Sequence, residues 1–454
     1  MIQDKLEKQK DFFRTNKTKD LSFRILYLMK LKEVIQKKES KILQALSSDL
    51  GKSDFEAYTS EVGFVLESIG HTLKNIKKWA KTKKVRRPIF MPISKSYYRY
   101  EPHGTVLIVG PFNYPFQLII EPLIGAVAAG NTCILKPSDK TPETVEIIKE
   151  IISEVFEEEH VNVVTGNREA VSELINSDFD YIFFTGSVPV GKIIMEAASK
   201  NLTPVTLELG GKSPVIVHKD ADIEKSAARI VWGKYYNAGQ TCIAPDYMYL
   251  HEDIKEEFLN KLREKITEFY GQEPLKSPDY GRIINKKEFK RLSGLIHKDK
   301  LYFGGEKIEE RLKFSPTVLT DITWEDDVMQ SEIFGPILPV MTYSDLDDVI
   351  EEIKDRPRPL SLYLFSNKEE IQAKIENEIP FGGGCINDTI SHVSSPRLPF
   401  GGTGNSGIGS YHGEESFITF SHKKSMMKKS TLFDISYIYP PYKGKLNIIK
   451  KIMK

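Results

Sequence analysis

The stretch that decides the fold is GTVLIVGPFNYPFQLIIEPLIGAVAAGNTCILK, residues 104–136. Two short and almost wholly apolar runs, 105–109 and 132–135, lie on either side of an apolar segment at 116–129 that has the length of a helix. Short apolar runs separated by helices are typical of parallel strands that are covered on both faces. The stretch therefore predicts one strand–helix–strand unit of an α/β fold.

The same alternation continues on the C-terminal side of this unit. Further strands and helices are predicted in turn at 142–156 (helix), 161–164 (strand), 168–175 (helix), 181–184 (strand), 190–199 (helix) and 205–207 (strand). After Gly210 the pattern restarts less regularly, with a strand at 214–217 and helices at 223–236 and 254–270. A break followed by a second alternation predicts two doubly wound parallel-sheet domains.

The ends of the chain differ from this alternating part. Residues up to about 84 have helical spacing, whereas 85–102 combine prolines with a basic and aromatic segment that is typical of a β ribbon. We therefore predict a first domain over 1–84 and 103–210, a second over 211–397, and a small β bridging element over 85–102 that is joined by the tail, 398–454.

Composition and charge exclude several classes of protein. Lys+Arg 64 against Asp+Glu 63 leaves a net charge of +1, which gives no reason to expect a nucleic-acid partner. Three cysteines argue against a disulfide framework and for a reducing compartment. The charged N-terminus has no apolar run of signal-peptide length, and no run approaches the length of a bilayer span. We therefore expect a soluble, cytoplasmic protein.

Two glycine-rich segments compete as phosphate sites. GTGNSG at 402–407 matches the dinucleotide fingerprint, but no apolar strand precedes it and no helical pattern follows it, and the motif has meaning only in that setting. GSVPVG at 186–191 follows a predicted strand and opens a predicted helix, so Gly186, Ser187 and Gly191 are the better candidates to face an anion. The alternative is an ordinary tight turn between a strand and a helix.

Three cysteines compete as a nucleophile. Cys133 lies inside a predicted strand, where a buried and inert thiol is expected. Cys385 lies in a glycine-rich segment that we predict to be a flexible loop, with no nearby acid or base in sequence. Cys242 follows the end of a predicted helix and ranks first, although most intracellular cysteines are inert.

Two polar residues lie at predicted carboxyl ends of strands. Burial of Glu208, which directly follows a strand, would raise the pKa of its carboxyl group toward the range of a general base; the alternative is an ion pair with Lys212. Asn113 lies in the loop after the first strand, where its amide could donate to an oxyanion; the alternative is a simple turn residue.

Six segments, taken together and in order, resemble the successive motifs of the aldehyde dehydrogenase superfamily. The resemblance covers about residues 20–425, and the segments after 398 together with the short length are similar to the class 3 branch, which includes fatty and aromatic aldehyde dehydrogenases. The six segments are 111–115 (PFNYP), 135–138 (LKPS), 184–187 (FTGS), 207–214 (LELGGKSP), 239–242 (GQTC) and 332–336 (EIFGP).

The resemblance implies oxidation of an aldehyde to a carboxylic acid with NAD or NADP as the cofactor. Cys242 would attack the aldehyde carbon, the Asn113 amide and the Cys242 N–H would hold the oxyanion, and a water activated by Glu208 would hydrolyse the thioester. No metal is implied. The first domain would bind the dinucleotide, the second would be catalytic, and the bridging element would mediate a homodimer.

The resemblance also assigns residues to the cofactor. Glu332 would hydrogen-bond the nicotinamide ribose with Phe334 beside the ring, Lys136 would reach the adenosine ribose, and the 186–191 turn would take the pyrophosphate. Many NAD-preferring members have Glu shortly after the Lys-Pro-Ser segment, where this chain has Asp139. A carboxylate there would hold a ribose 2′-OH and repel a 2′-phosphate, so we favour NAD without excluding NADP.

Two alternative functions stay open at this point. One is a CoA-acylating aldehyde dehydrogenase, against which Glu208 argues because a water-activating base has no purpose there. The other is a catalytically silent structural homologue, against which the full set of Cys242, Glu208 and Asn113 argues.

The basic tail raises one further question. Lysines surround apolar residues between 443 and 454, which would permit a short amphipathic helix to lie on an anionic membrane. We favour a solvated or dimer-packed tail, because so short a segment binds lipid weakly.

Overall fold

The computed structural model describes residues 2–87, 94–432, 434 and 436–453. Residue 1 of the predicted first domain, residues 88–93 of the predicted bridging element, and residues 433, 435 and 454 of the tail therefore lie outside the described residues. The helices are α1 Ile2–Arg14, α2 Leu21–Lys37, α3 Glu39–Leu50, α4 Asp54–Ala57, α5 Gly63–Trp79, α6 Gln117–Ala129, α7 Pro142–Val155, α8 Arg168–Ile175, α9 Val188–Ser199, α10 Ile223–Tyr235, α11 Lys255–Tyr270, α12 Lys286–Gly294, α13 Leu346–Lys354, α14 Glu369–Glu378, α15 Glu414–Thr419 and α16 Leu446–Ile452.

The strands form three main sheets and one short hairpin. They are β1 Lys83–Val85, β2 Ser94–Pro102, β3 Thr105–Val109, β4 Thr132–Lys136, β5 Val161–Val163, β6 Tyr181–Gly186, β7 Val205–Leu209, β8 Pro214–Val217, β9 Tyr247–His251, β10 Leu301–Phe303, β11 Lys307–Ile308, β12 Lys313–Phe314, β13 Thr317–Leu319, β14 Ile337–Tyr343, β15 Ser361–Phe365, β16 Gly383–Ile386, β17 Gly407–Ile408 and β18 Ser421–Lys429.

The first sheet has the order β17-β7-β6-β3-β4-β5, and all its strands except β17 run parallel. From β3 the chain proceeds to β4 and β5 on one side and to β6 and β7 on the other. The strand order therefore reverses between β3 and β6, and ligands of doubly wound sheets bind at the carboxyl ends of the strands at such a switch point. The loops that carry Asn113 and Gly186 flank this crevice.

The stretch 104–136 forms the centre of this sheet. Every residue of β3, α6 and β4 is buried, which explains why none of the three shows an amphipathic pattern. The predicted element types are confirmed and their ends move by a residue or two. The largest consequence is that β7 extends to Leu209, so that Glu208 lies within the strand.

The second sheet has the order β10-β13-β14-β9-β8-β15-β16, with only β10 antiparallel. Its last strand corrects one prediction, because Cys385 lies in β16 rather than in a flexible loop. The glycines before it adopt an extended strand because the β15 backbone approaches closely: a side chain at Gly384 would overlap the Leu362 carbonyl. Cys385 also has a base nearby, since its Sγ lies 3.4 Å from His392 Nδ1.

The third sheet has the order β1-β2-β18, so the tail returns to pair with the segment after residue 93. β2 and β18 are antiparallel over nine residue pairs, from Ser94↔Lys429 to Pro102↔Ser421. Two parallel-sheet units with a small β bridging sheet confirm the predicted fold class. Among the described residues, the structure contains no helix with the length and apolar character of a membrane span.

Candidate active site

Asn113 follows β3 and lies at the switch point of the first sheet. Its side chain is buried, and its backbone carbonyl accepts hydrogen bonds from Lys52 Nζ (3.0 Å) and Asn237 Nδ2 (2.8 Å). Because neighbouring side chains hold the backbone at this residue, the side-chain amide has a defined direction within the crevice. The geometry suits a positioned hydrogen-bond donor better than a solvent-exposed turn residue.

Cys242 lies after α10, at the end of a tightly turned segment. Asn237 and Ala238 both have φ of 52°, in the left-handed region, and Gly239 follows with φ of 73°. A side chain at Gly239 would overlap the Gly335 carbonyl, so the turn requires glycine there. Backbone conformations of this kind are costly and cluster at functional sites.

Burial raises the pKa of the Cys242 thiol to about 12, with smaller contributions from the carboxyl groups of Glu332 and Glu208. In this state of the site the thiol is therefore protonated at neutral pH. A nucleophilic thiolate requires a base to remove that proton.

Glu208 is the most isolated carboxyl group of the site. It is buried, and neither carboxylate oxygen has a hydrogen-bond partner among the described residues. Burial raises its pKa well above the usual range for glutamate. The alternative interpretation, an ion pair with Lys212, is wrong, since Lys212 Nζ bonds to Asp246 Oδ2 at 2.5 Å. A buried carboxyl group without a hydrogen-bond partner is a strong base once it is deprotonated, which suits a general base.

A cavity of about 540 Å³ at the switch point brings most of the predicted residues together. Gly191 does not line it. A side chain there would meet Leu209 Cδ2 at 2.6 Å, so the glycine serves the packing of α9 on β7. The predicted residues that line the cavity are Asn113, Lys136, Asp139, Gly186, Ser187, Glu208, Cys242, Glu332 and Phe334.

The start of α9 lines this cavity and has groups that suit the pyrophosphate of a dinucleotide. Ser187 immediately precedes α9, its hydroxyl caps no N–H of the helix, and a proline occupies the first turn. The helix N-terminus therefore presents uncapped N–H groups and the positive end of its dipole to the cavity. Lys136, whose pKa burial lowers, ends β4, and Asp139 lies in the loop that follows; both line the same cavity.

Further residues of the cavity lining have groups that suit a ribose and a flat ring. Burial raises the pKa of Glu332 to about 8, and its carboxyl group packs so closely on Gly210 that a side chain there would overlap it. Phe334 has φ of 47°, and its ring lies 5.8 Å from that of Phe112. Carboxylates accept bonds from ribose hydroxyls, and aromatic rings pack against planar heterocycles.

The glycine-rich segment at 402–407 contributes no residue to this cavity. It forms a tight turn and then β17, which pairs antiparallel with β7 so that Gly407 lies opposite Glu208. A side chain at Gly402 would overlap the Ser406 backbone. These glycines therefore permit a close turn at the sheet edge, and the strand–turn–helix setting is absent.

A second cavity, of about 360 Å³, was not predicted from the sequence. Cys242 and Leu118 line both cavities, so the thiol lies where this apolar cavity meets the one at the switch point, which is called the polar cavity because charged side chains such as Lys136, Glu208 and Glu332 line it. The residues that line the second cavity come from segments that are far apart in sequence, which explains why no local pattern indicated it. Its aromatic lining residues are Phe55, Phe64, Tyr114, Trp232, Tyr236, Phe400 and Tyr411.

Comparison with known proteins identifies the family. The model of the aldehyde dehydrogenase family matches residues 2–426, nearly the whole chain. The chain belongs to the aldehyde dehydrogenase family. Within it the chain is class 3-like, as the motifs after residue 398 indicated. It is an oxidoreductase that converts aldehydes to carboxylic acids, and its cofactor class is NAD or NADP.

Particular aldehyde dehydrogenases are similar over their full length. The 4,4'-diaponeurosporen-aldehyde dehydrogenase of Staphylococcus aureus is 51% identical, with 100% of this chain and 99% of the relative covered. The rat (Rattus norvegicus) enzyme described as "Aldehyde dehydrogenase, dimeric NADP-preferring" is 43% identical, with 98% and 99% covered. The solved structure "Substrate bound state of Staphylococcus Aureus AldH" has a TM-score of 0.99 at 51% identity and covers 100% of both chains.

Proposed function

We propose that this aldehyde dehydrogenase oxidises apolar aldehydes at Cys242. The observation that carries the proposal is the position of Cys242 at the junction of an apolar, aromatic-lined cavity and a polar cavity at the switch point of the first sheet. An apolar aldehyde in the first cavity would present its carbonyl carbon to the thiol. The polar cavity would hold the dinucleotide on the other side of that carbon.

The proposed chemistry divides one oxidation into two steps. Attack of the Cys242 thiolate on the carbonyl gives a thiohemiacetal, and the Asn113 amide and the Cys242 N–H stabilise its oxyanion. Loss of hydride leaves a thioester on Cys242. Glu208 then takes a proton from water, whose oxygen attacks the thioester and releases the carboxylic acid and the thiol. The raised pKa of Glu208 suits it to accept that proton.

The nicotinamide dinucleotide, when bound, supplies the acceptor for the hydride. For this chain we propose that Gly186 and Ser187, at the start of α9, hold the pyrophosphate. Lys136 would reach the adenosine ribose, and Glu332 the nicotinamide ribose with Phe334 beside the ring. The uncapped helix N-terminus and the close packing of Glu332 on Gly210 support these assignments.

The lining of the second cavity supports an apolar substrate. Its entrance carries exposed aromatic rings, with Phe55 77% and Trp232 39% exposed. Large exposed aromatics at a cavity mouth bind apolar chains. The S. aureus relative is described as a 4,4'-diaponeurosporen-aldehyde dehydrogenase. On the aromatic lining of the second cavity we propose long-chain apolar aldehydes as the substrate class.

A panel of straight-chain aldehydes tests this substrate class. We expect kcat/KM to rise by about four-fold per added CH₂ until the cavity is filled, because each buried CH₂ contributes about 0.8 kcal/mol. Trp232→Ala is expected to reduce the gain for long aldehydes and to leave short ones nearly unchanged. Phe269→Ala is the matched control, since Phe269 is 37% exposed and lines neither cavity. Equal kcat/KM across the panel would contradict the proposal.

For the cofactor we propose a preference for NAD that rests on Asp139. Its carboxylate would hold the 2′-OH of NAD and repel the 2′-phosphate of NADP. We expect Asp139→Asn to shift the ratio of kcat/KM values by about ten-fold toward NADP, as removal of one like-charge contact predicts. Glu143→Gln, nearby at the start of α7 but outside the cavity, is the control. An unchanged ratio in Asp139→Asn would show that the preference is set elsewhere.

We also propose the assembly and domain division that the resemblance implies. β18 lies at the edge of its sheet and carries the exposed Met426 and Met427, so it could pair with a second copy in a homodimer. α16 spans seven residues, which supports a solvated or dimer-packed tail over membrane contact. The boundaries at 84, 102, 210 and 397, and a cytoplasmic location, stay predictions.

A further inference from the structure

A lysine and a glutamate lie buried side by side beneath the Asn113 loop. Lys52 Nζ lies 2.5 Å from Glu61 Oε1, and both side chains are fully buried. Removal of two charges from water is costly, and such a pair persists only where further hydrogen bonds satisfy it. Those further bonds show what the pair holds.

Each member of the pair bonds to the backbone of one short segment. Lys52 Nζ donates to the Asn113 carbonyl at 3.0 Å and lies 4.1 Å from the centre of the Tyr114 ring. Glu61 Oε2 accepts from the N–H groups of Phe116 (2.9 Å) and Gln117 (3.2 Å), where α6 begins. The ion pair therefore holds the segment 113–117 at both ends, and the carboxylate also faces the positive end of the helix.

Glu61 reaches this position through an irregular turn. Residues Tyr58–Val62 form a π-helical turn between α4 and α5. A side chain at Gly63 would approach the Tyr58 ring to 2.8 Å, so glycine makes room for that turn. π-Helical turns carry an energetic cost and occur frequently at functional sites.

The Asn113 carbonyl is also tied to the cysteine loop. Asn237 Nδ2 donates both to the Asn113 carbonyl (2.8 Å) and to the Gln240 carbonyl (3.1 Å), two residues before Cys242. The Tyr114 and Thr241 hydroxyls lie 2.6 Å apart. The carbonyl thus connects the two loops that would supply the oxyanion donors.

We propose that the Lys52–Glu61 pair positions Asn113 for oxyanion stabilisation by fixing its backbone carbonyl. The inference rests on the proposed role of Asn113. Lys52 and Glu61 touch no reacting atom in this view and are positioning residues. Loss of the pair would leave the Asn113 side chain present but would no longer hold it in the direction that oxyanion stabilisation requires. A misplacement of about 1 Å can cost about 100-fold in rate.

The test measures kcat and KM for an apolar aldehyde with saturating cofactor. The main variant is Lys52→Met combined with Glu61→Gln, which removes the donor to Asn113 and neutralises both members of the pair together. We expect kcat to fall by about 10-fold to 100-fold with KM changed by less than about two-fold. Lys300→Met, which breaks an ion pair with Asp326 outside both cavities, is the control and is expected to keep wild-type kcat.

The same pair of substitutions in an Asn113→Ala background separates positioning from general damage. Asn113→Ala alone is expected to lower kcat by about 100-fold to 1,000-fold. If the pair acts through Asn113, adding its substitutions lowers kcat by no more than about two-fold beyond that. The proposal would be overturned if the losses in kcat multiplied when the substitutions are combined with Asn113→Ala. It would also be overturned if the Lys52→Met, Glu61→Gln protein kept wild-type kcat. If Asn113→Ala alone keeps wild-type kcat, the proposed oxyanion role of Asn113 is wrong. That result is distinct from failure of the positioning proposal, which is measured in the Lys52→Met, Glu61→Gln protein.

Discussion

Replacement of Cys242 by alanine is expected to abolish aldehyde oxidation while leaving dinucleotide binding measurable. Without the thiol no thiohemiacetal forms, and loss of a nucleophile costs at least about 10,000-fold in kcat. Spectrophotometric assay of cofactor reduction measures the loss, and fluorescence titration with NADH checks that the polar cavity still binds.

Cys385→Ala is the matched control for this prediction. Cys385 is likewise partly buried, and burial raises the pKa of its thiol, but it lies in β16 and lines neither cavity. We expect it to keep most of the wild-type activity. Turnover near wild type in Cys242→Ala would move the nucleophile to another residue and would remove the basis of the proposed function.

Replacement of Glu208 by glutamine is expected to separate the two chemical steps. Glutamine keeps the shape and removes the base, so acylation can proceed while hydrolysis of the thioester slows by about 100-fold to 10,000-fold. The variant should release a burst of reduced cofactor near one equivalent per active site and then turn over very slowly. Intact mass after the burst should show an acyl adduct on Cys242.

The pH dependence gives a second readout for Glu208. Deacylation needs the carboxylate form, and burial holds the pKa of Glu208 well above its usual range. The wild-type deacylation rate should therefore rise as the pH rises through that elevated pKa, and the rise should vanish in Glu208→Gln. Glu121→Gln is the control, because burial also raises the pKa of Glu121, to about 7, yet Glu121 accepts a hydrogen bond from Ser68 and lines neither cavity.

Other outcomes in Glu208→Gln lead to different mechanisms. Loss of the burst itself would show that Glu208 also deprotonates Cys242. Unchanged steady-state turnover would make Glu208 a structural residue and contradict the hydrolytic step. The CoA-acylating alternative and the silent homologue are set aside, because the chain is an oxidoreductase that converts aldehydes to carboxylic acids.

The sequence predicted the fold class because the relevant information is local. The apolar runs around 105–109 and 132–135 and the helix between them have lengths and patterns that only a covered parallel sheet accommodates. The order of such units then restricts the topology to a few arrangements. Chemical motifs around Asn113, Glu208 and Cys242 similarly lie in short segments, so the resemblance could single them out before their contacts were known.

Elements that depend on distant partners were missed or misread. The segment around Cys385 was predicted to be a loop, because glycines disfavour strands, and only the close approach of β15 makes it a strand. Gly191 was assigned to the pyrophosphate, but its contact with Leu209 shows a packing role. The alternative that Glu208 forms an ion pair with Lys212 is wrong, because Lys212 bonds instead to Asp246, which lies in a different segment of the chain.

By itself, the sequence determined the α/β class, the order of strands and helices, and the identity of the residues that chemistry would need. Only the tertiary structure decided that Cys242 lies between the two cavities, that the Glu208 carboxyl group has no hydrogen-bond partner within the described part of the chain, and that Lys52 reaches the Asn113 carbonyl. The physical reason is that strand and helix patterns depend on neighbours a few residues away. Cavities, desolvation and buried ion pairs depend on side chains that are brought together from segments tens to hundreds of residues apart.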